Sequence, residues 1–476
     1  MRTFSIYTLG CKVNQYESQQ IAQLLEELGL SAAVSGEKPD LAVINTCCVT
    51  GTASAKSRQY IQRALKANPA GVRVVCGCLP AMNSRESPPC DGDNVHIISS
   101  RDDLAQRIAQ IIIGGNPLIK AKNGSKIKDG MAKFAKYPKL PQLTSFKGHT
   151  RAFLKVQDGC DGLCTYCIVP RVRPDVQSKS IDEAVSEARA LVAAGHKEIV
   201  VTGVNLGAYG RSTTKKAQIA DCRLPIVDLL KELADIEGLA RIRVSSLEPG
   251  DISEELLDVF CAHSNIMPHI HLSVQSGASA TLKRMCRQYN ADELRAKIEL
   301  IKRRLDRPAI TCDIIVGFPG ETAEDFQETV ELSKWAGFSK IHTFPFSSRM
   351  GTPASRMKNK VEPKIIKQRA QILRKVGDEL GRKFVEQFVG QTCEVLIEDA
   401  EPTSGRCERY FIVKVECKNE KVKSKNEKVK MKNEIILVKI TAATSEGAVA
   451  EAASSKSAGD EQALNSKSET NTNVQN

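Results

Sequence analysis

The chain has 476 residues, enough for about three domains at ~150 residues each, so a single core does not account for it. Its 68 Lys and Arg against 56 Asp and Glu leave a net +12, which favours a polyanionic partner, nucleic acid ahead of a membrane surface. Residues 1–14 lack the apolar core of a signal peptide, and no apolar run approaches the ~20 residues that span a bilayer. The expected setting is therefore cytoplasmic and reducing, where 16 cysteines signify metal or redox chemistry rather than disulfides.

Residues 1–115 alternate short apolar runs (4–8, 41–45 and 72–76) with amphipathic helical patterns (14–28, 52–67 and 102–112). Strands alternating with helices predict a parallel sheet covered by helices, with ligands beyond the carboxyl ends of the strands. Cysteines fall at those ends: Cys11 after the first strand, Cys47 and Cys48 after the second, Cys76 and Cys78 closing the third. They could converge on one site, although no local spacing demands it, and ordinary buried thiols are the alternative. Residues 116–150 lose periodicity and turn rich in Lys, Gly and Pro, as a flexible basic linker does.

From 151 the alternation resumes, and an apolar run at 152–156 leads into Cys160, Cys164 and Cys167. Three thiolates in one short loop can hold three irons of a cubic iron–sulfur cluster and leave the fourth open to a ligand. Structural zinc normally wants four ligands, often in C-x2-C pairs, and three unrelated thiols are the other alternative. Six strand candidates, at 152–156, 198–202, 241–245, 269–273, 309–316 and 340–346, predict an open partial (β/α)6 barrel through 388, with residues 355–388 as trailing helices. Active residues of such folds sit on loops after the strands. Here those loops carry Gly203 and Asn205, Glu248, Gln275, and a turn with Gly317 and Gly320 around Pro319.

The triplet resembles that of the radical S-adenosylmethionine (SAM) enzymes, in which the open iron binds SAM. Leu9-Gly-Cys-Lys-Val-Asn-Gln15, Asn45-Thr-Cys-Cys-Val-Thr50 and Gly77-Cys78 further resemble the N-terminal signature of the methylthiotransferases. The likeness continues through Arg284-Met-Cys-Arg-Gln-Tyr289, Phe344-Pro-Phe-Ser-Ser-Arg349 and Gly351-Thr352. It implies two 4Fe-4S clusters. Cys160, Cys164 and Cys167 would hold the SAM-binding one, and Cys11, Cys47 and Cys78 an auxiliary, sulfur-delivering one. Cys48 and Cys76 would be neighbours, and Cys90 lies in a polar loop. Tyr166, Gly203, Asn205, Glu248 and Gln275 would contact SAM, with a packing role the alternative for Tyr166. One departure stands in the loop after Cys167, where Pro174 replaces the usual Gly and Lys179 the usual Arg; the proline restricts the backbone beside the substrate.

From 389 to 443 short alternating strands predict a small β-barrel resembling the RNA-binding TRAM domain. It is interrupted by a Lys-Asn-Glu-Lys-Val-Lys repeat within 418–434 that is too polar to pack and reads as a mobile insertion. Residues 444–476 read as a disordered tail. The family likeness implies methylthiolation of C2 of N6-threonylcarbamoyladenosine at position 37, in a tRNA anticodon stem-loop. An external electron donor and a sulfur source would be needed. Gly10-Cys-Lys-Val-Asn-Gln-Tyr-Glu-Ser18 resembles that branch; a sister branch acts on isopentenyladenosine and another on a ribosomal-protein aspartate. A non-catalytic RNA-binding iron–sulfur protein would instead call for four-ligand sites.

Overall fold

The computed structural model describes residues 1–82, 94–113, 139–211, 225–416 and 431–452. The N-terminal section is a parallel sheet of β1 (Thr3–Thr8), β2 (Ser31–Ala32), β3 (Leu41–Thr46), β4 (Val72–Gly77) and β5 (Val95–Ile97), in the order β2-β1-β3-β4-β5. Helices α1 (Lys12–Glu27), α2 (Gly51–Ala67) and α3 (Leu104–Ile113) cover it. Strand side chains alternate between faces. Val43, Val74 and Cys76 pack with Leu24 and Ile108, whereas Ile44 and Val75 pack with Ile61 and Ala64. Gly77, at φ +91°, breaks that alternation and turns Cys78 to the α2 face, away from Cys76.

The central section begins with β6 (Arg151–Lys155) and a short antiparallel ribbon of β7 (Gln157–Asp158) with β8 (Gln177–Ser178), linked through α4 (Val169–Val172). Then β9 (Glu198–Thr202) and β10 (Arg241–Val244) complete a three-stranded parallel sheet with β6. A second parallel sheet joins β11 (His269–Gln275), β12 (Ala309–Val316) and β13 (Lys340–Pro345). Among the described residues, two isolated bridges, Ile242 to Ile266 and Leu247 to Leu272, cross the seam between the two halves. The six strands thus form the expected open, partial barrel.

Helices α5 (Ile181–Ala193), α6 (Pro225–Ala234), α7 (Glu254–Ala262), α8 (Ser279–Arg284), α9 (Ala291–Arg304) and α10 (Ala323–Ala336) lie between these strands. Reciprocal caps fix three starts, at Ser180 with Glu183, Asn290 with Glu293, and Thr322 with Asp325. After β13 a single helix, α11 (Pro363–Glu386), replaces the several expected, with Pro363 pre-set for the first turn.

The C-terminal section is a closed barrel of β14 (Thr392–Ala400), β15 (Thr403–Cys407), β16 (Ile412–Glu416), β17 (Ile435–Thr444) and β18 (Gly447–Ala452), ordered β14-β15-β16-β18-β17. This corrects the expected tail, because 447–452 supply the closing strand. Its buried side chains are Ala448 and Ala450, too small to give a strong apolar signal. The linker also ends earlier than expected. Leu143 and Phe146 are buried in the main core, and Gln19, Gln20 and Gln23 of α1 bond the backbone of Lys147, Pro141 and Gln142. The rest of the linker at 116–138, Cys90, and 418–430 of the insertion lie outside the described residues.

The C-terminal barrel covers the N-terminal ends of the central strands. Tyr410 stacks on His269 with ring centroids 4.2 Å apart, and the guanidinia of Arg151, Arg243 and Arg406 lie over its face. Arg241 and Arg243 are fully buried and donate to the carbonyls of Arg406, Cys407 and Glu408. Their shared counter-charge is the buried Glu198, 2.8 Å from Arg243 and 3.9 Å from Arg241, and Glu394 of β14 lies 3.4 Å from Arg241. Removing one partner of a buried ion cluster strands the others, so Glu198→Gln is expected to destabilise the protein by about 3 kcal/mol. A lowered urea midpoint, with faster proteolysis near residue 389, is the readout; an unchanged midpoint would refute the docking role.

Candidate active site

The loop after β6 is clamped at its base. Gly159 has φ +76°, and a Cβ there would lie 1.9 Å from the carbonyl oxygen of Asp175, so only glycine fits. The Cys160 N–H donates to the carbonyl of Arg173 (2.9 Å), closing the loop on itself. Each sulfur of the triplet receives a donor: Gly162 N–H to Cys160 (3.3 Å), Val169 N–H to Cys167 (3.4 Å), and Arg287 to Cys164 (3.2 Å). Burial pushes the free Cys167 thiol up to about 12. Backbone donors and a guanidinium oppose that shift by favouring thiolates, the form that ligates iron. The donor set therefore fits a three-cysteine cluster.

The remaining expected contacts gather around this loop. Arg287 pairs with Glu248 (3.0 Å) while touching Cys164, so the carboxylate after β10 is held at the triplet. Asn205 N–H donates to Gln157 Oε1 (2.8 Å), and Gln157 Nε2 donates to the carbonyls of Asp158 and Gly159. A Cβ at Gly203 would press on Gln157 at 3.0 Å. Gln275 sits at the irregular end of β11 with φ +61°, a strained backbone of the sort stored at functional sites. Tyr166 packs edge-on against Phe318, so its ring has a structural contact whatever else it touches.

The second set of cysteines also converges. Cys11 precedes α1, Cys47 follows β3 and Cys78 follows β4, and each is near enough to bear on another's charge. Gly10 (φ +114°) allows the approach, since a Cβ there would lie 2.9 Å from that of Cys47. Asn14 ties the three loops: its amide donates to the carbonyls of Leu9 and Thr46, and its Oδ1 accepts from Arg173. Burial pushes Cys47 up to about 11. Cys78 is drawn down to about 5 by a hydrogen bond from Cys48 and then by the charges of Arg173 and Arg101. Cys48 packs in the same cluster as Cys78 and donates to its carbonyl at 3.4 Å, whereas Cys76 faces the opposite core.

Arg173 connects the two sets. Its buried guanidinium reaches Glu17 of α1 at 2.8 Å through both terminal nitrogens and Asp158 at 2.7 Å. Lys155 and Arg101 close the network from either side of Glu17, at 3.3 and 3.9 Å. Pro174 beside it is exposed and leaves these contacts intact, and Lys179 takes up Tyr16 (2.8 Å) and Glu187. Sequence reasoning missed the roles of Glu17, Arg101 and Arg287; Arg287 lies inside the quoted Arg284–Tyr289 motif, the signal that could have found it.

Comparison with known proteins follows this division. The Radical SAM superfamily model matches residues 154–333, and the Uncharacterized protein family UPF0004 model matches residues 3–93. The chain is 37% identical over 402 residues to the threonylcarbamoyladenosine tRNA methylthiotransferase of Bacillus subtilis, covering 84% of this chain and 86% of that protein. It belongs to the radical SAM methylthiotransferase family. As such it is an enzyme that transfers methylthio groups with SAM and 4Fe-4S clusters. The tRNA-2-methylthio-N(6)-dimethylallyladenosine synthase of Pelotomaculum thermopropionicum is 33% identical over 413 residues, covering 84% of this methylthiotransferase and 87% of that protein. A solved radical SAM methyltransferase from Kitasatospora setae shares the fold, with a TM-score of 0.50 at 14% identity over 74% of each chain. No helix among the described residues is long and apolar enough to cross a membrane.

Two outcomes follow from the electrostatics of this methylthiotransferase. Arg173→Met leaves the buried carboxylates of Glu17 and Asp158 undercompensated and should destabilise the protein by about 3–5 kcal/mol. It should also lower the iron bound per chain after anaerobic reconstitution; full iron with an unchanged urea midpoint would contradict the bridging role. Asp251, which accepts from Glu248 N–H at 2.8 Å, has its carboxyl pushed up to about 6, by burial first. A raised carboxyl favours the protonated fold, so its contribution is present at low pH and is lost as pH rises from about 4 through about 6. Asp251→Asn should remove that loss and stabilise the protein by roughly 2 kcal/mol at pH 8 but not at pH 4, as read by unfolding at both pH values.

Proposed function

We propose that this enzyme methylthiolates C2 of N6-threonylcarbamoyladenosine at position 37 of tRNA, replacing the C2 hydrogen with a methylthio group. Cys160, Cys164 and Cys167 would hold the cluster that binds SAM, and Cys11, Cys47 and Cys78 the auxiliary cluster. The observation that carries this reading is the pairing of two separate cysteine triplets through one buried arginine, Arg173, beside a single barrel. One open cluster suffices for radical chemistry; a second, sulfur-bearing one is called for when sulfur is inserted at a carbon that is neither acidic nor electrophilic.

When bound at the first site, SAM supplies the radical that activates C2 and, at the second, the methyl group for sulfur. The chain's residues position these partners. Arg287 balances the Cys164 thiolate and aims Glu248 at the SAM site, where its carboxylate can accept from ribose hydroxyls or the methionine amine. Tyr166, Gly203, Asn205 and Gln275 line the same strand ends. The net +12 supports phosphate binding by the tRNA anticodon stem-loop, and an external electron donor and sulfur source complete the requirements.

The relatives named above act, by their names, on threonylcarbamoyladenosine in one case and on dimethylallyladenosine in the other. Mass spectrometry of digested tRNA from cells with and without the gene separates these substrates. Loss of 2-methylthio-N6-threonylcarbamoyladenosine alone is the expected result. Its full retention in the deletion strain rejects the substrate, and loss of the isopentenyl product instead assigns the sister reaction. Failure of the reconstituted protein to release deoxyadenosine from SAM and reductant would reject the catalytic reading altogether.

A further inference from the structure

The inner face of the second barrel sheet carries a group of side chains that the chemistry so far leaves unused. On β11, β12 and β13 the aliphatic residues Ile270, Leu272, Ile310, Ile314 and Ile341 pack into the main core beneath the helices. Strand alternation turns the residues between them to the opposite face. The register sets His271 opposite Thr311 and Asp313 opposite His342, so three neighbouring strands bring His271, Asp313 and His342 together. One ligand atom from each lies within 4.8 Å of those of the other two. All three stand mid-strand, below the strand-end loops that surround the cysteine triplet.

The spacing within the group is that of ligands around an ion rather than of a hydrogen bond. His271 Nε2 lies 3.3 Å from Asp313 Oδ2. A charge-assisted N–H···O bond is shorter, at about 2.7–2.9 Å. Nitrogen and oxygen ligands about 2.1 Å from a tetrahedral zinc stand roughly 3.4 Å apart. The other ring nitrogen of His271 is held by the Thr311 hydroxyl at 2.8 Å, which fixes the ring with Nε2 towards Asp313. Metal-bound imidazoles regularly have such an outer contact. Among the described residues Asp313 pairs with no Lys or Arg, so His271 alone meets its charge. His342 and Thr311 also line a cavity of about 220 Å³ whose other walls include Tyr410 and Arg406 of the C-terminal barrel. That space gives an ion a way in and leaves room for water beside it.

The geometry points to a divalent-cation site, separate from both cysteine sets, in which His271, Asp313 and His342 hold one ion of the zinc class. Two imidazoles and a carboxylate suit zinc and its first-row neighbours, whereas magnesium and calcium call for oxygen ligands. With three protein ligands the site keeps a fourth position for water or another oxygen donor, unlike the closed four-ligand sites of structural zinc. Thr311 is a positioning residue, since it acts on the ion through the His271 ring. The inference is independent of which tRNA base the enzyme modifies.

The test uses the full chain with its clusters reconstituted, so that the cysteine sites are filled, and zinc as the probe. After gel filtration removes loose ions, the wild type is expected to retain zinc in addition to its iron. Zinc-edge X-ray absorption should show a nitrogen and oxygen shell at about 2.0–2.1 Å and no sulfur at about 2.3 Å. His342→Gln and Asp313→Asn should each lower zinc affinity by more than about 100-fold with iron per chain unchanged. Thr311→Val, which keeps all three ligands, should lower it by about 10-fold, the scale of a lost outer contact. The wild-type spectrum needs no variant, so a variant that misfolds leaves the test standing. A sulfur shell around the zinc, wild-type affinity in a folded His342→Gln, or a wild type that retains no zinc overturns the inference.

Discussion

A buried guanidinium is favourable only when carboxylates meet it, and much of this enzyme is arranged around that requirement at Arg173. Its partners come from different sections: Glu17 and Asn14 from the first helix, Asp158 from the loop after the first barrel strand. The residue's own carbonyl holds the Cys160 amide. One side chain and one peptide group therefore fix where both cysteine loops stand. The glycines at 10, 77 and 159 follow from the same crowding, because loops drawn this close leave no space for a Cβ.

At the opposite end of the central strands the problem is similar and the solution differs. Arg241 and Arg243 are as deeply buried as any aliphatic core residue, and Glu198 between them, with the half-exposed Glu394 at 3.4 Å from Arg241, does not occupy all their donors. Carbonyls from the C-terminal barrel supply the missing acceptors, so that barrel is held by the needs of buried charge as well as by apolar contact. Tyr410 adds an aromatic face against which three arginines and His269 can stack.

The fold was largely legible in the sequence because strands such as β3, β4 and β9 are aliphatic runs buried on both faces, and several helices carry their caps. The positions of the cysteines were legible for the same reason, each following such a run. What escaped was short or depended on partners far away in sequence. Strands β2, β5, β7 and β8 have two or three residues and no pattern to read. The closing strand β18 buries only Ala448 and Ala450 inward, and its alternate residues Gly447, Val449 and Glu451 are half-buried. Leu143 and Phe146 were hidden in a basic stretch, and single apolar residues there carry no periodicity. Arg287, Glu17 and Arg101 gain meaning only when the fold brings them against groups tens to more than a hundred residues away in sequence, which local spacing does not reveal.

The weak junction between β10 and β11 gives the barrel a mechanical character. Two bridges replace a ladder there, so the wall consists of two stiff three-stranded plates meeting along a compliant line. Arg287 spans that line, gripping Glu248 and Cys164 of one plate from a segment that belongs to the other. The strength of that grip depends on the charge of the thiolate beneath it.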